Sequence, residues 1–196
     1  RELAREVAIK QIHQQFLVDP RLLERFWGEA QLLASLQHPN VVTIYDLVRS
    51  RGWLVLELMR GSLRRSSESK PIDLNLLRMV LISCLNALQF LHANGVIHGD
   101  VKPGNMLLAN DGRLMLADFG LAMRRDQRSA ESPCVGTPRY LSPEMLAAWA
   151  NGSGTEGTDE RIDVWGLGAT LYEFLAFRPI YDGPVERIQY LPQATI

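Results

Sequence analysis

Short apolar runs in the first third of the chain predict strands around a single amphipathic helix. Val7-Ala8-Ile9-Lys10 is the first run of this kind. A helix is expected after Asp19-Pro20, because Asp caps helix N-termini and Pro suits the first helical position. Its apolar face recurs at steps of three and four residues, at Leu22, Leu23, Phe26, Ala30, Leu33 and Leu36. Residues 41–48 and 53–59 predict two more strands, joined by a turn.

Helical periodicity dominates the remainder of the chain. Residues 60–71 are polar and contain Gly and Ser, which is typical of a linker between two lobes. Asp73 is placed to cap a long helix that Asn94-Gly95 ends. Asn110-Asp111-Gly112 predicts a hairpin turn, and residues 162–174 return to the helical period. The predicted fold class is therefore α+β, with a small mainly-β lobe over residues 1–59 and a mainly-α lobe over residues 60–196.

Composition narrows the possible functions only modestly. The chain has 196 residues, of which 46% are hydrophobic, as in ordinary globular proteins. Its 21 Lys and Arg residues against 22 Asp and Glu argue against nucleic acid as a partner. No apolar run approaches the roughly 20 residues that a membrane span requires, so no span is expected within this segment. The two cysteines are too few for a disulfide framework, which favours a cytoplasmic location.

The densest cluster of reactive side chains lies between His98 and Asn105. It contains Asp100 and Lys102, and Asp118-Phe119-Gly120 follows thirteen residues after Asn105. Phosphoryl transfer needs a carboxylate beside the attacking hydroxyl, oxygen ligands for magnesium and a cation on the phosphates. Asp100 suits the first task and the amide and carboxylate of Asn105 and Asp118 suit the second. Taken singly, each of Asp100, Asn105 and Asp118 is more typical of a turn or a helix cap than of a catalytic site.

The ordered set of motifs resembles the eukaryotic-like (Hanks-type) Ser/Thr protein kinases. Residues 5–10 and 38–42 resemble the bacterial members in particular. The resemblance rests on Val7-Ala8-Ile9-Lys10, Glu29, the stretch from His98 to Asn105, Asp118-Phe119-Gly120, residues 136–144 and residues 163–168. An isolated Asp-Phe-Gly would be a weak signal, whereas this ordered series over residues 7–168 is a strong one. The resemblance implies a bilobal kinase-like fold that transfers the γ-phosphate of ATP to a Ser or Thr hydroxyl of a protein.

Roles for individual residues also follow from the resemblance. Lys10, oriented by Glu29, would hold the phosphates, and Asn105 and Asp118 would bind Mg²⁺. Asp100 would orient the substrate hydroxyl, Lys102 would neutralise the transferring group, and Thr137 would hydrogen-bond Asp100. Ala8 and Leu107 would sandwich the adenine ring, with backbone groups of Glu57 and Met59 on its edge. His98 and Phe119 are expected in an apolar column with Leu33 and Ile44 that Asp163 anchors.

One departure from the family pattern leaves alternatives open. Gly99 stands where the family usually has an arginine that pairs with a phosphate on the loop between Asp118 and Glu144. Activity is therefore expected not to depend on phosphorylation of that loop. His98-Gly99-Asp100 also resembles small-molecule kinases of the aminoglycoside and choline type, although Lys102 and residues 136–144 argue against them. A nucleotide-binding pseudokinase scaffold is the other alternative, with no chemical group visibly lost.

The family pattern also extends past both ends of the sequence. The Gly-rich strand pair that covers the phosphates should precede Val7, and the last helices of the second lobe should follow residue 196. The chain is accordingly expected to be a partial catalytic domain.

Overall fold

Three antiparallel strands and one helix form the N-terminal part of the protein. In this computed structural model, residues 5–12, 20–63, 73–118, 123–124, 136–155 and 157–181 are described. Strands β1 (Val7–Gln11), β2 (Ile44–Val48) and β3 (Trp53–Glu57) lie in the order β1-β3-β2. Helix α1 (Pro20–Ser35) lies between β1 and β2 in sequence and buries Trp27, Ala30 and Leu33. The register places Lys10 opposite Leu54 of the central strand.

Two of the predicted strands are shorter than the sequence indicated. The prediction of a strand over residues 41–48 is wrong at its start, because Val41 forms a parallel bridge with Leu116 instead. The predicted strand over residues 53–59 ends at Glu57, and the Arg60 amide turns to donate to the Leu108 carbonyl at 2.8 Å. Both differences arise because the C-terminal half of the chain competes for these backbone groups.

Helices and small sheets build the remainder. They are β4 (Gly61–Ser62), α2 (Leu74–Ala93), β5 (Val96–Ile97), β6 (Met106–Leu108), β7 (Leu114–Leu116), β8 (Met123–Arg124), α3 (Pro143–Ala150) and α4 (Arg161–Ala176). β4, β6 and β7 form one sheet, and β5 pairs with β8. The main core joins Cys84 and Leu88 of α2 to Leu167 and Phe174 of α4. This arrangement confirms the α+β fold class, and β4 lies within the segment that was predicted to be a linker.

Helix α2 begins and ends where the sequence predicts. The Asp73 carboxylate accepts a hydrogen bond from the Asn75 amide at 3.2 Å, and Gly95 has a φ of +71°, which suits a glycine after a helix end. By length and composition alone, α2 could cross a membrane. A core helix of similar composition meets the same criterion, and Val80, Cys84 and Leu91 of α2 are buried in the core. The absence of a membrane span stays a prediction.

The segment over residues 38–42 fastens the first half of the chain to the second. The His38 ring stacks on Phe90 of α2 with centroids 4.8 Å apart and an interplanar angle of 20°. Asn40 donates its side-chain amide to the Leu114 carbonyl and accepts from the Leu116 amide, each at 2.8 Å. The Val42 amide donates to the Leu116 carbonyl at 2.9 Å. This attachment is separate from the connection over residues 58–60, where the chain passes from β3 to β4.

Candidate active site

A cavity of about 270 Å³ lies between the N-terminal sheet and the β6–β7 hairpin. Most of its walls are apolar, and its polar side chains include Lys10, Glu57 and Asp118. The residues predicted to contact a nucleotide base all line it: Ala8, Glu57, Met59 and Leu107. A mostly apolar slot with a few directed polar groups is the usual form of a small-ligand site.

The chain over residues 57–59 forms one edge of the cavity. The Glu57 amide already donates to the Thr43 carbonyl at 3.0 Å. The Glu57 amide is therefore engaged within the protein rather than open to a ligand. Met59 follows on the same edge of the cavity, before the chain turns at Arg60.

Lys10 and Asp118 meet at the polar end of the cavity. The Lys10 ammonium donates a hydrogen bond to Asp118 Oδ1, and their side chains are 42% and 46% exposed. Asp118 has a φ of +64°, in the left-handed region that Asp tolerates better than most residues. Glu29, the predicted partner of Lys10, lies in α1, but its side chain falls outside the part of the chain that the structure describes.

The Asp100 carboxylate is held by three side chains at once. Oδ1 accepts hydrogen bonds from the Thr137 amide at 3.1 Å and from the Thr137 hydroxyl at 2.7 Å. Oδ2 accepts from Lys102 Nζ at 2.6 Å and from Asn105 Nδ2 at 3.1 Å. Lys102 Nζ also donates to Thr137 Oγ1 at 2.6 Å. The structure thus brings together four of the predicted site residues, although Thr137 is separated from Asp100 by 37 positions.

Asn105 and Asp118 together offer an amide oxygen and a carboxylate as metal ligands. Asn105 is 4% exposed, and its amide nitrogen donates to the Asp100 carbonyl at 2.8 Å, which leaves its side-chain oxygen as the atom for a ligand. The Ala117 amide donates to the Asn105 carbonyl at 2.9 Å, so Asn105 lies beside the residue preceding Asp118. A carboxylate and an amide oxygen fit Mg²⁺, which keeps much of its water shell. Among the described residues, no three His, Cys, Asp or Glu side chains cluster as a metal site.

A buried carboxylate on α4 holds the backbone of the loop over residues 98–105. Asp163 is 1% exposed and accepts from the amides of His98 and Gly99, each at 2.8 Å. His92 Nε2 lies 2.8 Å from Asp163 Oδ2. The sequence interpretation missed His92, and its only signal was a histidine at the end of α2, six residues before His98.

The buried His98 ring links the loop to the strand that precedes Asp118. Its Nδ1 accepts from the Asp100 amide at 3.2 Å, so Nε2 carries the hydrogen and donates to the Ala117 carbonyl at 3.0 Å. Leu33 and Ile44, the expected neighbours in the apolar column, belong to one buried cluster of the core. Phe119, the remaining member of that column, lies outside the described residues.

The segment that follows Gly136 is tied to the end of α4. Tyr140 donates its hydroxyl to Glu173 at 2.6 Å, and the Arg139 guanidinium donates to the Tyr181 carbonyl at 3.1 Å. Desolvation raises the pKa of Tyr181 above its ordinary value. These contacts hold a short 3₁₀ turn over Pro138–Tyr140 next to Thr137.

Comparisons with known proteins agree with these observations. The family described as protein kinase domain matches residues 1–193. A probable serine/threonine-protein kinase of Streptomyces coelicolor is 36% identical over 214 residues, covering 98% of this chain and 30% of that protein. The probable serine/threonine-protein kinase PknB of Bifidobacterium longum is 34% identical, covering 92% of this chain and 28% of that protein.

A fungal relative resembles the chain to a similar degree. The mitogen-activated protein kinase HOG1A of Wallemia ichthyophaga is 33% identical over 180 residues, covering 90% of this chain and 47% of that protein. The chain therefore spans less than half the length of each of these three relatives.

Proposed function

The chain belongs to the protein kinase family, and on that premise we propose that it transfers the γ-phosphate of ATP to a Ser or Thr hydroxyl of a protein. The observation that carries the proposal is the Asp100 carboxylate, held jointly by Thr137, Lys102 and Asn105. A carboxylate fixed in this way can orient a hydroxyl and accept its proton. The named bacterial relatives are probable serine/threonine-protein kinases, which favours Ser or Thr as the acceptor.

The proposed position of ATP follows from the shape of the cavity. Ala8 and Leu107 would enclose the adenine ring, and the Glu57 carbonyl would accept a hydrogen bond from its amino group. Met59 would offer its backbone to the same edge. The apolar walls favour the ring because burial removes apolar surface from water.

Lys10, Asn105 and Asp118 would serve the phosphate end. Lys10 would place its positive charge on the phosphates, a task for which Glu29 is the proposed orienting partner. Asn105 and Asp118 would hold magnesium, which, when bound, neutralises the charge of phosphate oxygens. Lys10 and Asp118 pair with each other here, which places the proposed phosphate cation beside a proposed magnesium ligand.

Besides neutralising the transferring group, Lys102 would free a hydrogen-bonding site on Asp100 for the substrate hydroxyl. Both oxygens of Asp100 already accept two hydrogen bonds each, so a substrate hydroxyl has to replace one of them. Rotation of the Lys102 ammonium toward the transferring phosphoryl group would free one site on Oδ2. The same movement would bring positive charge to the group on which negative charge develops.

A transfer assay with labelled ATP and magnesium tests this proposal directly. The full chain should label a generic protein substrate on Ser or Thr, and Asp100→Asn should abolish labelling while retaining nucleotide binding. Transfer to an aminoglycoside or choline without protein labelling would instead identify a small-molecule kinase. Nucleotide binding with no transfer to any acceptor would identify a scaffold.

A further inference from the structure

Helix α4 contacts the loop over residues 98–105 on both sides of Asp100. In its first turn, Asp163 binds the amides of His98 and Gly99, which precede Asp100. One turn later, Gly166 lies against Val101, which follows Asp100. A Cβ atom placed on Gly166 would lie 2.9 Å from the Val101 carbonyl oxygen and 3.1 Å from Val101 Cβ. Real side chains avoid the first of these distances, so any larger residue must displace the loop or the helix.

Neither side of this contact can readily move away. Val101 is 3% exposed and belongs to the main core together with Leu167, the neighbour of Gly166. The nearest atom is backbone rather than the end of a flexible side chain. A displacement of the Val101 backbone would pass directly to Asp100, whose carboxylate is fixed at 2.7 Å from the Thr137 hydroxyl.

We propose that Gly166 is a positioning residue for phosphoryl transfer. Its missing side chain sets how closely α4 approaches the loop, and thereby where the Asp100 carboxylate lies relative to Thr137 and Asn105. Glycine within a helix is unfavourable compared with alanine, so the close approach gives a physical reason for this residue. The inference rests on the proposed function, since Asp100 is the group being positioned.

Gly168 offers a matched control on the same helix. It lies two residues after Gly166, is exposed, and has no atom within 4 Å of a Cβ built on it. Gly166→Ala and Gly168→Ala therefore add the same methyl group to the same helix, with and without an obstacle.

The test compares these two variants in the full chain. For Gly166→Ala, we expect kcat to fall about tenfold or more, because small misplacements of a reacting group are costly. The Kd for ATP should stay within about twofold, since neither Gly166 nor Val101 lines the nucleotide cavity. Amide hydrogen exchange should accelerate over residues 98–105 and remain unchanged in α2. Gly168→Ala should match the unsubstituted chain in all three measurements.

Three results would overturn the inference. One is an unchanged kcat in Gly166→Ala. Another is a fall in kcat accompanied by loss of ATP binding and faster exchange throughout α2. The third is a variant that does not fold, which would assign Gly166 to general packing. Failure of the proposed function is recognised separately, because the unsubstituted chain would then transfer no phosphate, while hydrogen exchange would still show whether Gly166 holds the loop.

Discussion

At the scale of single residues, the site depends on a few buried and part-buried polar atoms with more than one partner. The Thr137 hydroxyl donates to Asp100 and accepts from Lys102, so it connects the proposed catalytic carboxylate to the proposed phosphate cation. Such networks stabilise one geometry only when every member is satisfied. Removing one hydroxyl should therefore disturb two charged groups.

Thr137→Val is expected to lower kcat about tenfold or more, because the loss of a part-buried hydrogen bond to charged groups costs about 1.5–3 kcal/mol. Valine keeps the shape of the side chain and removes only its hydrogen-bonding capacity. Thr137→Ser retains the hydroxyl and should preserve most of the activity. Steady-state kinetics with a peptide substrate measures both variants, and equal losses would contradict the role of the hydroxyl.

Lys10→Met is expected to reduce turnover about 10²-fold or more, because a cation aimed at developing phosphate charge is lost. The fold should remain intact, since Lys10 and Asp118 are both nearly half exposed and such pairs contribute only about 0–1 kcal/mol. The rate of phosphate transfer and the urea midpoint measure the two effects.

Arg78→Met provides the control for Lys10, because Arg78 is an exposed cation on α2 that does not line the cavity. An unchanged rate in Lys10→Met, or an equal loss in Arg78→Met, would refute the assignment of Lys10.

The Cys84 thiol predicts a specific dependence of stability on pH. Desolvation by burial raises its pKa from 9.0 to about 12. The folded chain thus retains a proton that the unfolded chain loses, so this contribution to stability is full below pH 9.0 and disappears as pH rises toward about 12.

Guanidinium unfolding from about pH 8 to pH 11 measures this effect, with a maximal slope of about 1.4 kcal/mol per pH unit for one proton. Cys134→Ser serves as the background, and adding Cys84→Ala to it should flatten the decline. Parallel pH profiles for the two proteins would be inconsistent with a buried, protonated Cys84.

At the scale of elements, the sequence predicted the helix ends and the hairpin turn that depend on neighbouring residues. Asp73 caps α2, Asn94-Gly95 ends it, and Asn110-Asp111-Gly112 lies between β6 and β7. The start of β2 was not predictable from its own residues, because Leu116 of β7 competes for the backbone of Val41 and Val42. A long-range contact of this kind leaves no signature within a window of ten residues.

For the site, too, the sequence indicated the residues but not the contacts between them. The resemblance indicated Asp100, Asn105 and Thr137 by motif order, although no local pattern links positions so far apart in sequence. Gly166 did carry a local signal, because an isolated glycine within a helical pattern often has a packing reason. The sequence did not show which residue packs against Gly166, because only the folded chain places Val101 there.

Capping of α2 gives a prediction at this scale. Asp73→Ala should lower the free energy of unfolding by about 1 kcal/mol, because the Asn75 amide loses its acceptor. Asp73→Asn keeps an acceptor oxygen and should cost only a small part of that amount. Urea unfolding measures both, and an equal loss in the two variants would mean that the charge, rather than the capping bond, stabilises the helix.

At the scale of the whole molecule, the glycine that precedes Asp100 bears on regulation. Gly99 has a φ of +77° and no side chain with which to bind a phosphate. Ser129 and Ser132 lie in the loop between Asp118 and Glu144, outside the described residues. A phosphate on that loop would therefore lack the partner that an arginine at position 99 would supply.

Combined Ser129→Ala and Ser132→Ala substitutions should leave kcat within about threefold of the unsubstituted chain, because no phosphate-binding side chain is present at position 99. Phosphatase treatment of the unsubstituted chain should likewise leave its rate unchanged. A collapse of turnover in either experiment would show that another cation replaces the missing arginine.

The attachment at residues 38–42 also bears on how the two halves of the protein are joined. The N-terminal sheet joins the rest of the chain at that attachment, where His38 stacks on Phe90, at the connection over residues 58–60, and through Leu33 and Ile44 in the main core. Stacking, backbone hydrogen bonds and apolar packing therefore act together on the position of the N-terminal sheet, and with it on the placement of Lys10 beside Asp118.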